Sequence, residues 1–323
     1  MQAIRKCILK RFEPNTFIGG VAATINTANI IAQKLNLSVS RIQGFKVVNN
    51  DIEFAVTGGN YDIPNSCFGS GITANANKSI TFYRDMSGKV SLVGNESFKF
   101  CTNLIDVNFP NAHTILGVLA SGSGAFSDCI NLNLCIMPNL VLCIGFYNFS
   151  NTVLLNTLNV PLLTEIGTGT FDRGCGIVNL NLPSLISMTT QVFNHSGSNT
   201  KALTLVCPNA TNISGASIQG LTKVKEILLP NITAMNSTNK NGLWDSLTAI
   251  ELIEAKKLRY LGNPSQAGTN AFRAFKLGCT IRLHIDLLTA NAGNADASLV
   301  FAKNTRNATI EFYDDNGIYV STL

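Results

Sequence analysis

Between Val107 and Phe312 the chain repeats one phrase of apolar and polar positions. An apolar–x–apolar pair recurs as Val107/Phe109, Cys135/Met137, Leu158/Val160, Leu180/Leu182, Leu205/Cys207 and Ile227/Leu229, each time followed directly by proline: Pro110, Pro138, Pro161, Pro183, Pro208 and Pro230. Alternation with a period of two predicts a short strand, and proline at its end permits the strand and then stops it. Three residues ahead of each pair comes Leu104, Leu132, Leu155, Ile177, the weaker Ala202, or Val224. Twelve residues ahead of the prolines stand Phe98, Phe126, Phe149, Phe171 and, before Pro230, Ile218. Phe193 lies fifteen ahead of Pro208, which predicts a short insertion there. The register then continues without proline: Trp244 precedes Lys256, Phe272 precedes His284 and Phe301 precedes Tyr313, each by twelve. Upstream, Ile80-Thr81-Phe82-Tyr83 supplies one more strand, with Phe68 fifteen ahead of Tyr83.

Ten anchors result, at 83, 110, 138, 161, 183, 208, 230, 256, 284 and 313, spaced by 22–29 residues. One strand per unit at this period is the signature of a leucine-rich-repeat solenoid. Phe126 and Cys129 share a face at i and i+3. Leu132, Cys135 and Met137 point inward from the approach and the strand, and Leu140 and Cys143 return the chain inward before Gly145. No single coil buries these side chains alone; stacked coils bury them in one column. The expected fold is an α/β or mainly β solenoid of about ten coils. It has one parallel sheet, short helical or irregular returns, and a length of about 45–50 Å at the usual strand spacing. Residues 1–45 form a basic capping or docking segment, 46–308 the solenoid and 309–323 a capping hairpin. Asn316-Gly317 supplies the hairpin's turn, and Ile52-Glu53-Phe54 reads as an early, imperfect coil. Ala28 to Leu37 reads as a short amphipathic helix.

The phrase F-x-x-C-x-x-L-x-x-Φ-x-Φ-P, best kept from Phe98 to Pro110 and from Phe126 to Pro138, resembles the BspA-like leucine-rich repeats of bacterial surface proteins. The resemblance spans about residues 60–313. After Pro230 the proline and often the cysteine are lost. What it implies is adhesion and protein or glycan binding rather than catalysis. It carries over no functional residue, because the shared positions are core positions.

Composition supports a repeat rod. Of 323 residues, 46% are hydrophobic and only 13% charged. The 38 asparagines suit turns and hydrogen-bonded ladders. Residues 1–50 hold seven of the 24 basic residues and one of the 19 acids, so the head is basic and the body near neutral. Electrostatic docking to a larger assembly therefore falls to the head, through Arg5, Lys6, Lys10 and Arg11. Its short apolar stretch, broken by Lys10, Arg11 and Glu13, does not read as a signal peptide. No apolar run reaches the length of a membrane span. The nine cysteines include no C-x-x-C pair and read as small buried hydrophobes.

No catalytic constellation, metal-ligand spacing or cofactor motif converges, so neither an enzyme nor a cofactor is expected. His113, His195 and His284 fall in different coils. Asp314-Asp315-Asn316-Gly317 reads as a turn rather than a calcium loop. Basic charge confined to the head, with no stacking platform, argues against nucleic acid.

Candidate chemistry lies on the sheet face. The residue between each inward pair faces out: Thr81, Asn108, Ile136, Asn159, Asn181, Val206, Leu228, Glu254, Arg282 and Glu311. Of these, Asn108, Asn159, Asn181, Glu254, Arg282 and Glu311 are the candidate partner contacts. The expected function is a non-enzymatic structural and recognition rod. Its expected place is a phage virion appendage made in the host cytoplasm, with assembly proteins and a host surface protein or glycan as partners. The alternative is a bacterial cell-surface adhesin. Self-association is left open.

Overall fold

The computed structural model describes residues 32–48, 51–68, 82–85, 88–117, 123–193, 204–214, 217–236, 244, 247–261, 272, 275–289 and 296–323. The chain enters through an antiparallel pair, β1 (Ile42–Val48) and β2 (Asp51–Val56). It then winds as β3 (Tyr61–Ile63), β4 (Phe82–Asp85), β5 (Val90–Val93), β6 (Asp106–Asn108), β7 (Thr114–Leu116), β8 (Leu134–Ile136) and β9 (Leu142–Ile144). Next come β10 (Thr157–Asn159), β11 (Glu165–Ile166), β12 (Asn179–Asn181), β13 (Ser187–Met188), β14 (Thr204–Val206) and β15 (Asn212–Ser214). The stack closes with β16 (Glu226–Leu228), β17 (Ala234–Asn236), β18 (Leu252–Glu254), β19 (Tyr260–Leu261), β20 (Thr280–His284), β21 (Thr309–Tyr313) and β22 (Tyr319–Thr322).

Odd-numbered strands β3 to β19 form one nine-stranded sheet. The proline-ended strands form the opposite wall, in a six-stranded sheet ending at β10 and a seven-stranded one beginning at β12. The parallel-strand solenoid is thus as the repeat predicts. Its return side is a second wall rather than an irregular return, and the coil count departs slightly from ten. The reason is the second apolar pulse in each coil: Ile115, Cys143, Ile166, Met188, Ile213 and Met235 are all buried and stand in register across that sheet. The glycine that follows is required by close approach. Gly145 has φ +84°, and a Cβ there or at Gly167 would collide with the backbone of the preceding coil.

Inside, Phe68, Phe98, Phe126, Phe149, Phe171 and Phe193 stack face to face, with successive centroids 5.3, 5.1, 5.2, 5.9 and 5.4 Å apart. Phe193 joins the column despite its offset from Pro208. Ile218 is buried at the equivalent place in the next coil, and Trp244 stacks on Phe272 at 6.3 Å. Each ring is held by a tight turn. Glu96 and Phe100 flank Phe98, Tyr147 and Asn151 flank Phe149, and Gly169 and Arg173 flank Phe171, all with φ between +53° and +62°. Two left-handed non-glycine residues together cost about 2–4 kcal/mol, which burial of the phenylalanine between them, about 1.5–3 kcal/mol, largely offsets.

Side chains tie coil to coil. The asparagine after proline donates to the carbonyl of the preceding coil: Asn139 to Pro110 at 2.9 Å, Asn209 to Pro183 at 2.7 Å and Asn231 to Pro208 at 2.8 Å, with Asn111 reaching Gly88 in the same way. The thiols of Cys101 and Cys129 donate to the carbonyls of Phe68 and Phe98, at 3.6 and 3.0 Å.

Two expectations need correction. Tyr83 pairs with Val107, so Arg84 rather than Thr81 stands level with Asn108; the anchor at 83 is three residues out of register, and Thr81 lies outside the described residues. Phe301 does not continue the aromatic column. It lies half-buried on α1 (Ala297–Arg306), whose Leu299 and Ala302 face the core instead. A helical period has replaced the turn there. Of the segment read as a helix from Ala28, residues 32–34 are helical, Ala32 and Leu35 are buried, and residues 28–31 lie outside the described residues. At the far end β21 continues the wall parallel to β20, and β22 folds back antiparallel to β21 as the last strand.

Candidate functional site

The wall of proline-ended strands presents the candidate surface. Parallel register sets Asn108 beside Ile136 and Ile136 beside Asn159. A second ladder sets Asn181, Val206, Leu228, Glu254, Arg282 and Glu311 side by side. Asn108, Asn159 and Asn181 are exposed, and the others in these rows are half-buried. The two rows belong to separate sheets, which divide between Asn159 and Asn181. Arg5, Lys6, Lys10 and Arg11 lie outside the described residues.

Glu254, Arg282 and Glu311 are drawn together. The Arg282 guanidinium lies 3.0 Å from Glu254 Oε2 and 2.9 Å from Glu311 Oε2. The Tyr313 hydroxyl donates to the same Glu311 oxygen at 2.9 Å. Lys256 Nζ sits 3.8 Å from Glu254 and 4.5 Å from the Tyr313 ring centroid, a cation–π distance. Hydrogen bonds to Glu311 and Glu254 push the Arg282 pKa upward. Partial burial opposes ionisation of Glu311, but hydrogen bonds from Tyr313 and Arg282 outweigh it and hold the carboxyl below its ordinary value. Burial, followed by the bond to Glu311, raises Tyr313.

A second cluster joins the end hairpin to the stack. Arg259 pairs with Asp286 at 2.7 Å and with Asp315. His284 is buried, and its Nδ1 accepts from the Asp286 amide at 3.2 Å. That leaves Nε2 to carry the proton toward Asp315 Oδ1, 3.2 Å away. Asp314 Oδ1 accepts from the amides of Asn316 and Ile318, so this stretch is a side-chain-closed turn. His113 is exposed, and His195 lies outside the described residues.

Sequence reasoning missed Arg259, Lys256, Tyr313 and Asp315 as members of these clusters. A signal existed: Lys256, His284 and Tyr313 occupy the places where earlier coils carry proline.

Among the described residues no group of three or more His, Cys, Asp or Glu side chains could hold a metal. No described helix is long and apolar enough to cross a membrane. The eight described cysteines are free and buried. Desolvation pushes Cys67, Cys101, Cys143 and Cys207 up to about 12 and Cys175 and Cys279 up to about 11. Such thiols are packing groups rather than nucleophiles.

A family model of the BspA type leucine-rich repeat region matches six copies, over residues 61–120 and 120–242. The chain belongs to the BspA-type leucine-rich repeat family. Among solved structures, this BspA-type chain is similar to the leucine-rich repeat protein of T. pallidum, with 12% identity over 84% of this chain and 96% of that one at a TM-score of 0.31. It is also similar to a leucine-rich repeat protein from Bacteroides ovatus, with 11% identity over 75% of this chain and 81% of that one at a TM-score of 0.22. No curated protein matches the chain. The repeats of this family suggest a recognition or adhesin role.

Proposed function

We propose that the chain is a non-enzymatic recognition rod that offers the wall of proline-ended strands to a protein or glycan on a cell surface. The observation that carries this reading is the pair of in-register rows of outward residues along one wall of the stack. A rigid repeated face of this kind holds many weak contacts in one geometry at little ordering cost. Glu254 and Glu311 are neutralised by Arg282 and Lys256, so the contacts fall mainly to Asn108, Ile136, Asn159, Asn181, Val206 and Leu228. The test is saturable binding of the labelled full chain to intact host cells. Val206→Arg with Leu228→Arg is expected to weaken it at least tenfold while leaving the melting temperature within a few degrees. Unchanged binding removes the wall from the recognition surface.

The finer placement we infer is a phage virion appendage, docked through the basic head at Arg5, Lys6, Lys10 and Arg11. Its support is the charge contrast between head and body. Mass spectrometry of purified virions tests it: recovery of the chain in virions carries the placement, and recovery only at the bacterial surface replaces it with a cell-surface adhesin. Removal of residues 1–31, which hold all four basic residues and leave β1 and buried Ala32 and Leu35 in place, is expected to abolish incorporation while the truncated rod still folds.

A further inference from the structure

The charged cluster that joins the end hairpin to the stack holds one group with two charge states. His284 ends β20, at the anchor where earlier coils carry proline. A proline ring offers no hydrogen-bonding group, whereas an imidazole offers two, and both are used here. The ring is 2% exposed. Its Nδ1 accepts from the Asp286 amide at 3.2 Å and so caps the short helical turn Ile285–Leu288. Its Nε2 lies 3.2 Å from Asp315 Oδ1 in the hairpin turn. With Nδ1 an acceptor the ring is neutral, and Nε2 holds its one proton.

Charged groups reach the ring from three elements. Asp286 Oδ2 lies 3.4 Å from Nδ1, beside the amide that Nδ1 now takes. Asp315 faces Nε2 from the hairpin, and Arg259 reaches from the preceding coil to both carboxylates. On β21, Tyr313 pairs with His284; its ring lies under Lys256 at 4.5 Å and its hydroxyl is bound to Glu311. Asp296, at the start of α1, is turned to the Ser298 amide. Beside a neutral ring, therefore, one guanidinium meets two carboxylates, and a negative charge is in excess. A proton on Nδ1 removes that excess. It also ends the cap, because a doubly protonated ring has no acceptor and sets N–H against N–H. The oxygen within reach of the new proton is Asp286 Oδ2. A buried charge is tolerated only when it is paired, and here two carboxylates stand ready for it.

We propose that His284 is a pH-operated latch at the C-terminal end of the rod. Neutral, the ring caps Ile285–Leu288 and holds the hairpin by one hydrogen bond to Asp315. Charged, it gives up the cap and clasps the Asp286 and Asp315 carboxylates as ion pairs. The hairpin is then held more firmly while the turn after β20 loosens. The change needs no refolding, since the proton comes from solvent and the ring only shifts from the amide to the carboxylate of one residue. Histidine is the side chain that changes charge between about pH 5 and pH 8, above the range in which ordinary carboxyl groups take up protons. The segment under control carries exposed Ile318, Tyr319 and Val320, so mild acid fixes an apolar stretch in place. The latch stands or falls without reference to any partner of the recognition wall.

The test follows the full-length chain by amide exchange and by nitrogen NMR of the ring, between about pH 8 and about pH 5. After correction for intrinsic rates, protection of the Asp286 amide is expected to fall about tenfold in acid. Protection of Asn316 and Ile318, whose amides close the hairpin turn on Asp314, is expected to rise severalfold. The ring is expected as the Nε2–H tautomer at the higher pH and doubly protonated at the lower. His284→Asn keeps an oxygen acceptor for the Asp286 amide and gains no charge, so both changes are expected to vanish in it. Asp315→Asn, at a side chain 72% exposed, keeps an acceptor for Nε2 without its charge. There Asp286 is still expected to lose protection in acid, without the gain at the hairpin. An Nδ1–H tautomer at the higher pH, a ring still neutral at the lower, or unaltered protection of Asp286 overturns the latch. So do changes of native size in His284→Asn, or a hairpin gain that survives Asp315→Asn.

Discussion

The coils from Phe68 to Phe193 and those after Pro230 share a winding but not the means of holding it. The earlier coils are tied from within and along the anchors: six stacked phenylalanines, thiols donating to the coil below, and the proline–asparagine ladder. The later coils keep buried Trp244, Phe272 and Phe312, but their anchors are Lys256, His284 and Tyr313, and each of these side chains enters an ion pair, hydrogen bond or cation–π contact. Lys257 stands where asparagine would, and its ammonium reaches back 2.8 Å to Asn231, the last step of the asparagine ladder. A solenoid asks only that each coil bond to the next; interior stacking and surface charge are alternative ways of doing so. The two differ in their expected sensitivities. Buried aromatic contacts respond to cavity formation and little to salt, whereas half-exposed ion pairs respond to salt and pH and are individually worth little.

Four experiments would break or sharpen that contrast. The largest effect is expected from Phe126→Ala, which removes a fully buried ring from the middle of the column and is expected to cost about 3–5 kcal/mol by chemical denaturation. A loss under 1 kcal/mol would show that the stacked rings are not what holds the early coils. Gln191→Gly acts in the opposite direction: this exposed residue is left-handed, at φ 58°, and glycine there is expected to raise stability by about 0.5–1 kcal/mol. Asn139→Ala removes one ladder bond and is expected to cost about 1 kcal/mol; exchange of the neighbouring amides should quicken with it. The smallest effect belongs to the charged end. Arg282→Gln is expected to cost about 1 kcal/mol or less, and the loss should shrink at high salt.

Acid sharpens the contrast further. Hydrogen bonding and the ammonium groups of Lys276 and Lys225 hold the Glu251 carboxyl below its ordinary value of 4.5, and Glu311 is held down by its partners. A carboxyl with a depressed folded value adds stability that is fully present above its unfolded value. That stability is lost as pH falls through the folded value. The later coils should therefore loosen below about pH 4.5, before the phenylalanine column does. Amide exchange resolved by residue would read this directly; simultaneous loosening of both regions counts against separate means of cohesion. Alkylation gives a matching check: at pH 8 the eight described cysteines should stay unlabelled in the native chain and react once it is unfolded.

What could be read in advance was whatever repeats. The inward aromatic, the strand, its proline stop and the outward row follow from spacing alone, because each coil must offer the same buried face to the same neighbour. Even the asparagine surplus pointed to ladders. The second wall was harder to see, since a two- or three-residue strand carries too few positions for its period to stand out; Glu165–Ile166 is an example. Features without a repeat could not be read at all. Arg259 meets Asp315 across 56 residues, and Leu158 is half-exposed although its sequence context matches that of buried Cys135 and Leu180. The amino-acid pattern determines that coils stack and which side chains form their spine, because burial by stacking needs only local periodicity. The tertiary structure alone decides where the stack parts between β10 and β12, and which distant charges close its end. Both depend on how small offsets in successive coils accumulate in three dimensions, and no single coil contains that sum.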